Sequence, residues 1–272
     1  MKFDNRVYQF DAVPPLSSED LKSPFARFYQ VPVMAPAPAI LAAIGPEQLD
    51  ISNVLAFPEI ERLFRPESTE LKNGWCILPD GTGYSLITTD MPGVAVEEEQ
   101  WWPQWIMDPD FGYLNYRIWM PGLHVSHGTP IVEDLGWGAS EVQMFQPLFP
   151  QLLGLSAEPK TLDPAYVGMI GSSGRSNLQG HPEQMDYTVL INCVKQTETG
   201  LQVQSVCYMG VKWQDGQLVK VHDVDPAKQR LFATHNAYEF QRKAQLLPEL
   251  YAFSASMPNH GLNPNVRSPI KL

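Results

Sequence analysis

Apolar and polar residues alternate from Gly74 onward in runs typical of half-buried β-strands. The clearest runs are GWCILPDGTGYSLITT, DYTVLINCV, and GLQVQSVCYMGVKW followed by QLVKVHDV. Turn-forming residues divide the first and last of these, Pro79-Asp80-Gly81 in one and Asp215-Gly216 in the other. Because such residues favour tight turns between paired strands, the pattern predicts two antiparallel hairpins.

A different period follows the last hairpin. Asp225-Pro226 has the sequence of a helix N-cap and first helical residue. Apolar residues then recur at spacings of three and four, which predicts a helix with one buried stripe over residues 226–247. The stripe comprises Ala233, Ala237, Phe240, Ala244 and Leu247. Pro248 is expected to stop or kink this helix.

The first 74 residues lack strand-like alternation. VPVMAPAPAILAAIGP is rich in Pro and Ala, and SEDLKSPFARF and NVLAFPEIERLF predict short helices interrupted by prolines. We therefore expect a helical and loop extension over residues 1–74, packed on a main domain over residues 75–272 as one structural unit.

Short helices, then strands, then one long helix is the order of an α+β protein with an antiparallel sheet. A curved sheet wrapped around a long helix would leave a cavity between the two. We expect a small molecule to bind there.

Composition narrows the classes of partner. The 272 residues are 44% hydrophobic with a net charge of −11, and no Lys/Arg cluster is present. This balance argues against nucleic acid and anionic membrane surfaces as partners. The three cysteines are widely spaced, and neither a signal peptide nor a run of about 18 apolar residues is present. These features predict a soluble cytoplasmic protein with free thiols.

The stretch THNAYEF places His235 and Glu239 four residues apart in the predicted helix. Residues at this spacing share one helical face, so the pair is either half of a metal site or an ordinary surface pair. Two histidines and two carboxylates would suit Zn²⁺. Of the other histidines, His124 and His127 lie among aromatics in NYRIWMPGLHVSH, and His222 is expected at the surface.

Five blocks of the sequence resemble a known family. In order they are NGWCILPDGTGYSLITTDMPGV, WWPQW, NYRIWMPGLH, GLQVQSVCYMG and HNAYEFQRKAQLLPELY. Together they are similar to the diacetylphloroglucinol and phloretin hydrolases, over roughly residues 40–255. The resemblance implies a helix-grip fold of the Bet v 1 type. It also implies one zinc ion per chain, held by two His and two Glu.

The resemblance implies a role for individual residues. HNAYE supplies His235 and Glu239 as ligands, and YRIWMPGLH supplies His124. The fourth ligand is assigned to Glu141, with Glu133 as the alternative. Tyr116 in the block YRIWMPGLH matches a pocket tyrosine of the family. For the hydrolase mechanism we expect Tyr116 and His127 to be catalytic, with His127 either the proton donor or a solvent-exposed loop histidine. The expected substrate contacts are Tyr116, Trp119, Asn192 and Tyr208, of which Trp119 and Tyr208 are alternatively core aromatics.

The chain also departs from the family pattern. Ile106 and Met107 follow Trp105 where the family often has a histidine, and Asn192 stands where another histidine is common. The short stretch after His124 also allows an alignment with Met144 at the carboxylate position. These departures predict an altered pocket.

The implied activity is zinc-dependent hydrolysis of the carbon–carbon bond between an acyl group and a phenolic, phloroglucinol-like ring, or in a related 1,3-dicarbonyl. Two alternatives remain open on the same scaffold. One is a cyclase or isomerase of an aromatic or polyketide-like compound, and the other is a non-catalytic binder of hydrophobic ligands. A homodimer is the default expectation for the assembly.

Overall fold

The computed structural model describes residues 13–106, 108, 111–128, 131–134, 138–145, 162–178, 181–214 and 217–257. Within these ranges four α-helices form, namely α1 (Pro38–Ala43), α2 (Val96–Ile106), α3 (Gly112–Trp119) and α4 (Pro226–Ala255). The strands are β1 (Gly74–Ile77), β2 (Gly83–Pro92), β3 (His124–Gly128), β4 (Ile131–Asp134), β5 (Gly138–Phe145), β6 (Tyr166–Leu178), β7 (His181–Gln196), β8 (Gly200–Met209), β9 (Val211–Gln214) and β10 (Gln217–Lys220).

Eight strands form one antiparallel sheet in the order β1-β2-β8-β7-β6-β5-β4-β3. The β1–β2 hairpin and the β9–β10 hairpin both form as the turn residues predict, the second as a separate two-stranded ribbon. Gly210 divides the run GLQVQSVCYMGVKW, because its φ of 78° turns the chain out of the large sheet. The α+β class with an antiparallel sheet and a C-terminal helix is confirmed.

Helix α4 packs on one face of the sheet, against β1, β2 and β8. We call this the α4 face; its inward side chains include Ile87, Val194 and Met209. The opposite face, which we call the outer face, buries Val189 and Tyr208 among others. The sheet therefore has an apolar core on each side.

The predicted end of α4 is wrong. The helix spans 30 residues and continues through Pro248 to Ala255. Pro248 removes one backbone donor, which normally costs helix stability. Leu246, Leu247 and Leu250 are nevertheless all buried in one core cluster with α2 and α3. Burial on both sides of the proline thus holds the chain helical.

The N-terminal segment forms short 3₁₀-helices and α1, with no strand among residues 13–73. The 3₁₀-helices are Asp20–Lys22, Ala26–Gln30, Ile51–Asn53, Phe57–Phe64 and Pro66–Glu70. Their apolar side chains cover both sides of the sheet region. Phe28 packs with α2 and α4, whereas Leu63 and Phe64 pack on the outer face. The boundary at residue 74 stays a prediction.

Two helices between β2 and β3 escaped the sequence analysis. WWPQW lies in α2, which places Trp101, Trp102 and Trp105 in the core despite Pro103. The side-chain amide of Asn115 in α3 donates to the carbonyl of Trp105 at 2.7 Å and joins the two helices. Among the described residues no helix has the length and apolarity needed to cross a membrane.

Candidate metal centre

Helix α4 supplies two candidate ligands from one face. Asp225 caps the helix, as predicted, by accepting from the Ala227 backbone N–H at 2.9 Å. Two turns further on, His235 and Glu239 lie one above the other, and both side chains are buried. Burial of the pair makes an ordinary solvent-exposed surface contact untenable.

The third candidate comes from the turn between α3 and β3. Gly122 has a φ of 84°, a conformation that favours glycine, and it reverses the chain after α3. His124 then begins β3 with its ring stacked on Tyr116, the centroids 3.8 Å apart and the planes 6° from parallel. The turn therefore returns His124 to the helix that precedes it.

A hydrogen bond fixes the proton on the His124 ring. Its Nδ1 lies 2.9 Å from the backbone oxygen of Tyr116. Because a carbonyl oxygen can only accept, Nδ1 must donate, and in the neutral ring Nε2 then carries the lone pair. This is the arrangement by which a second contact orients a metal-binding histidine.

The three side chains converge with spacings that fit a metal ion. His124 Nε2 lies 3.5 Å from Glu239 Oε1, and His235 Nε2 lies 3.8 Å from Glu239 Oε2. One donor atom from each of the three residues lies within 4.8 Å of the others. Ligands about 2.0–2.1 Å from a tetrahedral zinc stand roughly 3.3 Å apart, close to these separations. The group could therefore hold a metal ion.

The electrostatics suit metal binding at neutral pH. Burial lowers the pKa of His235 from 6.5 to about 4. The imidazole is consequently neutral at pH 7, which is the form that binds metals. A metal ion that binds at pH 7 therefore does not have to displace a proton from His235.

The same shift predicts how acid affects the metal-free protein. Between pH 6.5 and 4 the unfolded chain protonates His235 while the folded chain does not, so stability is present above pH 6.5 and falls as pH drops. The contribution is about 3 kcal/mol. Urea unfolding across this range, with chelator present, measures it. The His235→Asn variant should lose that share of the slope, and an unchanged slope would contradict the assignment.

Aromatic side chains from α2 and α3 pack around the three residues. The Trp119 indole meets the His124 ring edge-on at 5.2 Å, and its Nε1 donates to the backbone oxygen of Glu239 at 2.9 Å. Trp102 packs edge-on against Trp119 at 5.3 Å. Tyr116 and Trp119, both predicted substrate contacts, thus lie beside the centre.

A buried ion pair lies one turn further along α4. Lys243 Nζ is 2.6 Å from Glu99 Oε1 of α2, and the ammonium lies 5.3 Å from the centroid of the Trp102 ring. Because Lys243 follows Glu239 by four residues, it continues the same helical face. The pair joins α2 to the ligand-bearing face of α4.

The remaining predicted residues divide between the two faces of the sheet. Asn192 lies between Leu190 and Val194 in the row of β7 that packs on the α4 side, and its Oδ1 accepts from the Ser205 hydroxyl at 2.6 Å. Tyr208 lies on the outer face, where its hydroxyl donates to the Leu55 backbone oxygen at 2.7 Å. The structure therefore does not bring Tyr208 to the three candidate ligands.

Three predicted residues have only their backbone described. His127 lies in β3, Glu133 in β4 and Glu141 in β5; their side chains fall outside what the structure describes. The predicted surface position of His222 corresponds to a half-buried ring whose Nδ1 lies 2.9 Å from the Asp223 backbone oxygen.

Sequence reasoning missed the groups that orient the ligands. The backbone oxygen of Tyr116 and the indole N–H of Trp119 each fix one ligand residue. Backbone acceptors carry no residue-type signal. The spacing of Tyr116, Trp119 and His124 around Gly122 was visible, but only the helix-to-strand reversal gives it meaning.

Comparisons with known proteins identify one family. The family model described as the DAPG hydrolase PhiG domain matches residues 55–131 and 128–252. A 2,4-diacetylphloroglucinol hydrolase from a Pseudomonas species is 23% identical over 263 residues, covering 84% of this chain and 87% of the relative. The phloretin hydrolase of Eubacterium ramulus is 27% identical over 260 residues, covering 86% and 91%.

A solved structure of a Mesorhizobium loti protein aligns with 61% of this chain and 97% of its own, at 12% identity and a TM-score of 0.33. The family match spans most of the chain, and it includes all three converging residues. The chain therefore belongs to the DAPG hydrolase (PhiG domain) family.

Proposed function

We propose that the protein is a zinc-dependent hydrolase acting on an acyl group attached to a phenolic, phloroglucinol-like ring, or on a related 1,3-dicarbonyl. The observation that carries the proposal is the buried group of His124, His235 and Glu239. The relatives named for diacetylphloroglucinol and phloretin support the substrate class.

The donor set supports zinc, at one ion per chain. Two imidazoles and one carboxylate match catalytic zinc sites, which use three protein ligands and leave a position open. Imidazole disfavours Mg²⁺ and Ca²⁺, which prefer oxygen ligands throughout. When bound, zinc lowers the pKa of a water molecule toward neutrality and polarises a carbonyl oxygen.

The chain's own residues then orient the reactants. The Tyr116 carbonyl holds the His124 proton on Nδ1, and the Trp119 indole fixes the backbone at Glu239. Since Asn192 Oδ1 accepts from the Ser205 hydroxyl, we assign its amide N–H groups as donors to a ring oxygen of the substrate. Water adds to the acyl carbon, the bond to the ring carbon breaks, and the ring carbon takes up a proton.

The proposal assigns two further roles. Tyr116 contacts the substrate ring beside His124, as its stacked position allows. His127 is the predicted proton donor to the ring carbon, a role typical of histidine near neutral pH. Among the substrate contacts that the sequence predicts, Tyr208 receives no role because it lies on the outer face.

We also propose the finer features that the family implies. The packing of α4 across the antiparallel sheet supports a helix-grip arrangement of the Bet v 1 type with the substrate cavity between helix and sheet. The packing of Phe28 and Phe64 into the main core supports residues 1–74 and 75–272 acting as one unit. A cytoplasmic homodimer remains our expectation for location and assembly.

The strand register bears on the fourth ligand. Glu141 stands opposite Arg175 in β6, and Arg175 stands opposite Tyr187 in β7. Tyr187 precedes Val189 by two residues, so the backbone register supports the outer face for this row of positions. Ile131 of β4 stands opposite Glu141, and Glu133 follows Ile131 by two residues, so Glu133 lies in the same row.

His124 stands opposite Asp134, which neighbours Glu133 and so belongs to the other row of positions. That second row also contains the positions of Val142 and Met144. We therefore expect a centre with three protein ligands, in which Glu141→Gln and Glu133→Gln each retain one zinc per chain. Zinc analysis of both variants measures this. Loss of zinc in Glu141→Gln alone would restore Glu141 as the fourth ligand, and loss in Glu133→Gln alone would select Glu133.

The activity has a direct assay. The purified protein, incubated with an acylated phloroglucinol, should release the free ring and the carboxylic acid in equal amounts. A chelator should abolish turnover, and zinc should restore it. Isomerised or cyclised product without release of acid would favour the alternative enzyme class, which the departures at Ile106 and Asn192 keep open. Binding without turnover would favour a ligand-binding protein.

A further inference from the structure

We propose that Asp20, in the N-terminal segment, is a positioning residue for the metal centre that acts through α3. This inference rests on the proposed function, because it concerns the same three ligands. Asp20 does not touch them. It fixes the helix that orients two of them.

Asp20 is 2% exposed, and both of its carboxylate oxygens are engaged. Oδ2 accepts from the Ser17 backbone N–H at 2.8 Å and from Arg117 Nη1 at 2.9 Å. Oδ1 accepts from the Tyr113 hydroxyl at 2.5 Å. The Ser17 hydroxyl in turn accepts from the Asp20 backbone N–H at 3.1 Å. The residue is therefore a fixed anchor on the N-terminal segment.

Asp20 bonds to residues on one face of α3, and the metal centre lies against another face of the same helix. Tyr113 and Arg117 are four residues apart and reach Asp20 together. Tyr116 and Trp119 are three residues apart and point to the ligands. Helix α3 thus links the N-terminal segment to the centre.

This helix needs external support. It has eight residues, and helices shorter than about 12 residues are marginal in water without tertiary contacts. Arg117 adds to the anchor by lying 5.4 Å from the centroid of the Tyr29 ring, also in the N-terminal segment. A change in the orientation of α3 moves the Tyr116 carbonyl and the Trp119 indole, and with them His124 and Glu239.

The charge on Asp20 persists across the working pH range. Burial favours the neutral acid, but hydrogen bonds from Tyr113, Ser17 and Arg117 outweigh it and lower the pKa of Asp20 to about 2. The anchor is therefore a carboxylate paired with a guanidinium, a stronger contact than a neutral hydrogen bond.

The chain offers a matched control at Asp163. Its Oδ2 lies 2.8 Å from Lys195 Nζ, which also donates to Ser68 of the N-terminal segment. Lys195 is in the row of Val189 and Cys193, which packs on the outer face, away from α4. Asp163→Asn thus weakens the buried ion pair with Lys195, the residue that bonds to the N-terminal segment through Ser68, and it leaves the contacts of Asp20 with α3 unchanged.

The experiment compares Asp20→Asn with Asp163→Asn by two readouts. Zinc affinity is measured by competition with a chromophoric chelator. The Nδ1-bound proton of His124 is followed by NMR in the metal-free protein, with its signal identified by its loss in His124→Gln. We expect both variants to unfold at lower urea concentration. Asp20→Asn alone should weaken zinc binding 10- to 100-fold and shift or broaden the His124 signal.

A second variant with a smaller structural change keeps the test possible if Asp20→Asn does not fold. Tyr113 is 40% exposed, and Tyr113→Phe removes just the hydroxyl that donates to Asp20. It should move both readouts in the same direction by a smaller factor. Wild-type zinc affinity with an unchanged His124 signal in the folded variant would overturn the positioning role. Absence of zinc binding in the wild type would defeat the proposed function, while the NMR readout would still decide the role of Asp20.

Discussion

Replacing His235 or Glu239 by Ala is expected to remove zinc from the protein and to abolish hydrolysis while the fold persists. Each residue supplies one of three converging ligands. Loss of a group that merely orients a ligand costs 10- to 100-fold in metal affinity or activity, so loss of a ligand should cost at least a hundredfold. The fold should survive because the apolar stripe of α4, with Ala233, Ala237 and Leu247, is left intact.

Circular dichroism checks the fold of these variants, and elemental analysis and the hydrolysis assay measure the loss. Glu249→Ala is the matched control, because Glu249 is an exposed carboxylate on the same helix paired with Arg27. It should keep full zinc content and activity. Folded His235→Ala and Glu239→Ala proteins that both retain one zinc would remove the pair from the centre.

The largest expected loss of stability comes from the buried pair of Glu99 and Lys243. These side chains are 7% and 4% exposed, and their charged atoms lie 2.6 Å apart. Glu99→Gln leaves the Lys243 ammonium buried without its carboxylate, which should lower the free energy of unfolding by about 3–5 kcal/mol. Urea unfolding of the zinc-free protein measures the change separately from metal binding.

A double variant tests the cause of that loss. Glu99→Leu combined with Lys243→Met removes both charges and should be more stable than Glu99→Gln, since no uncompensated charge remains buried. Glu249→Gln, which breaks an exposed pair, should change stability by less than about 1 kcal/mol. A Glu99→Gln protein as stable as Glu249→Gln would contradict the assigned role of the pair.

The sequence predicts α4 well because its determinants are local. Asp225 and Pro226 mark its start, and the spacing of Ala233, Ala237 and Phe240 marks its buried face. Its end was wrong because Pro248 is a local signal, whereas the burial of Leu250 that overrides it depends on α2 and α3.

The faces of the sheet show a similar limit. Alternation along β8 separates Leu201, Val203 and Cys207 from Val206 and Tyr208. It cannot say which row faces α4, because that choice depends on where the N-terminal segment packs. Of the two readings of Tyr208, a pocket residue or a core aromatic, its position on the outer face agrees with the core aromatic.

Local sequence patterns predict two of the three residues of the candidate centre. Helical spacing alone pairs His235 with Glu239. His124 lies 111 positions before His235, so the resemblance to the family was needed to join them. The support from Asp20 was not visible in the sequence, because its contacts to Tyr113 and Arg117 join segments about 93 to 97 residues apart.

Anomalous diffraction at the zinc absorption edge, from crystals of the purified protein, shows directly whether His124, His235 and Glu239 hold the metal. We predict one peak per chain, at bonding distance from the imidazoles of His124 and His235 and from the carboxylate of Glu239. Ligand distances near 2.0–2.2 Å are expected for zinc. A fully folded protein prepared with zinc whose crystals show no peak among these three residues would contradict this prediction.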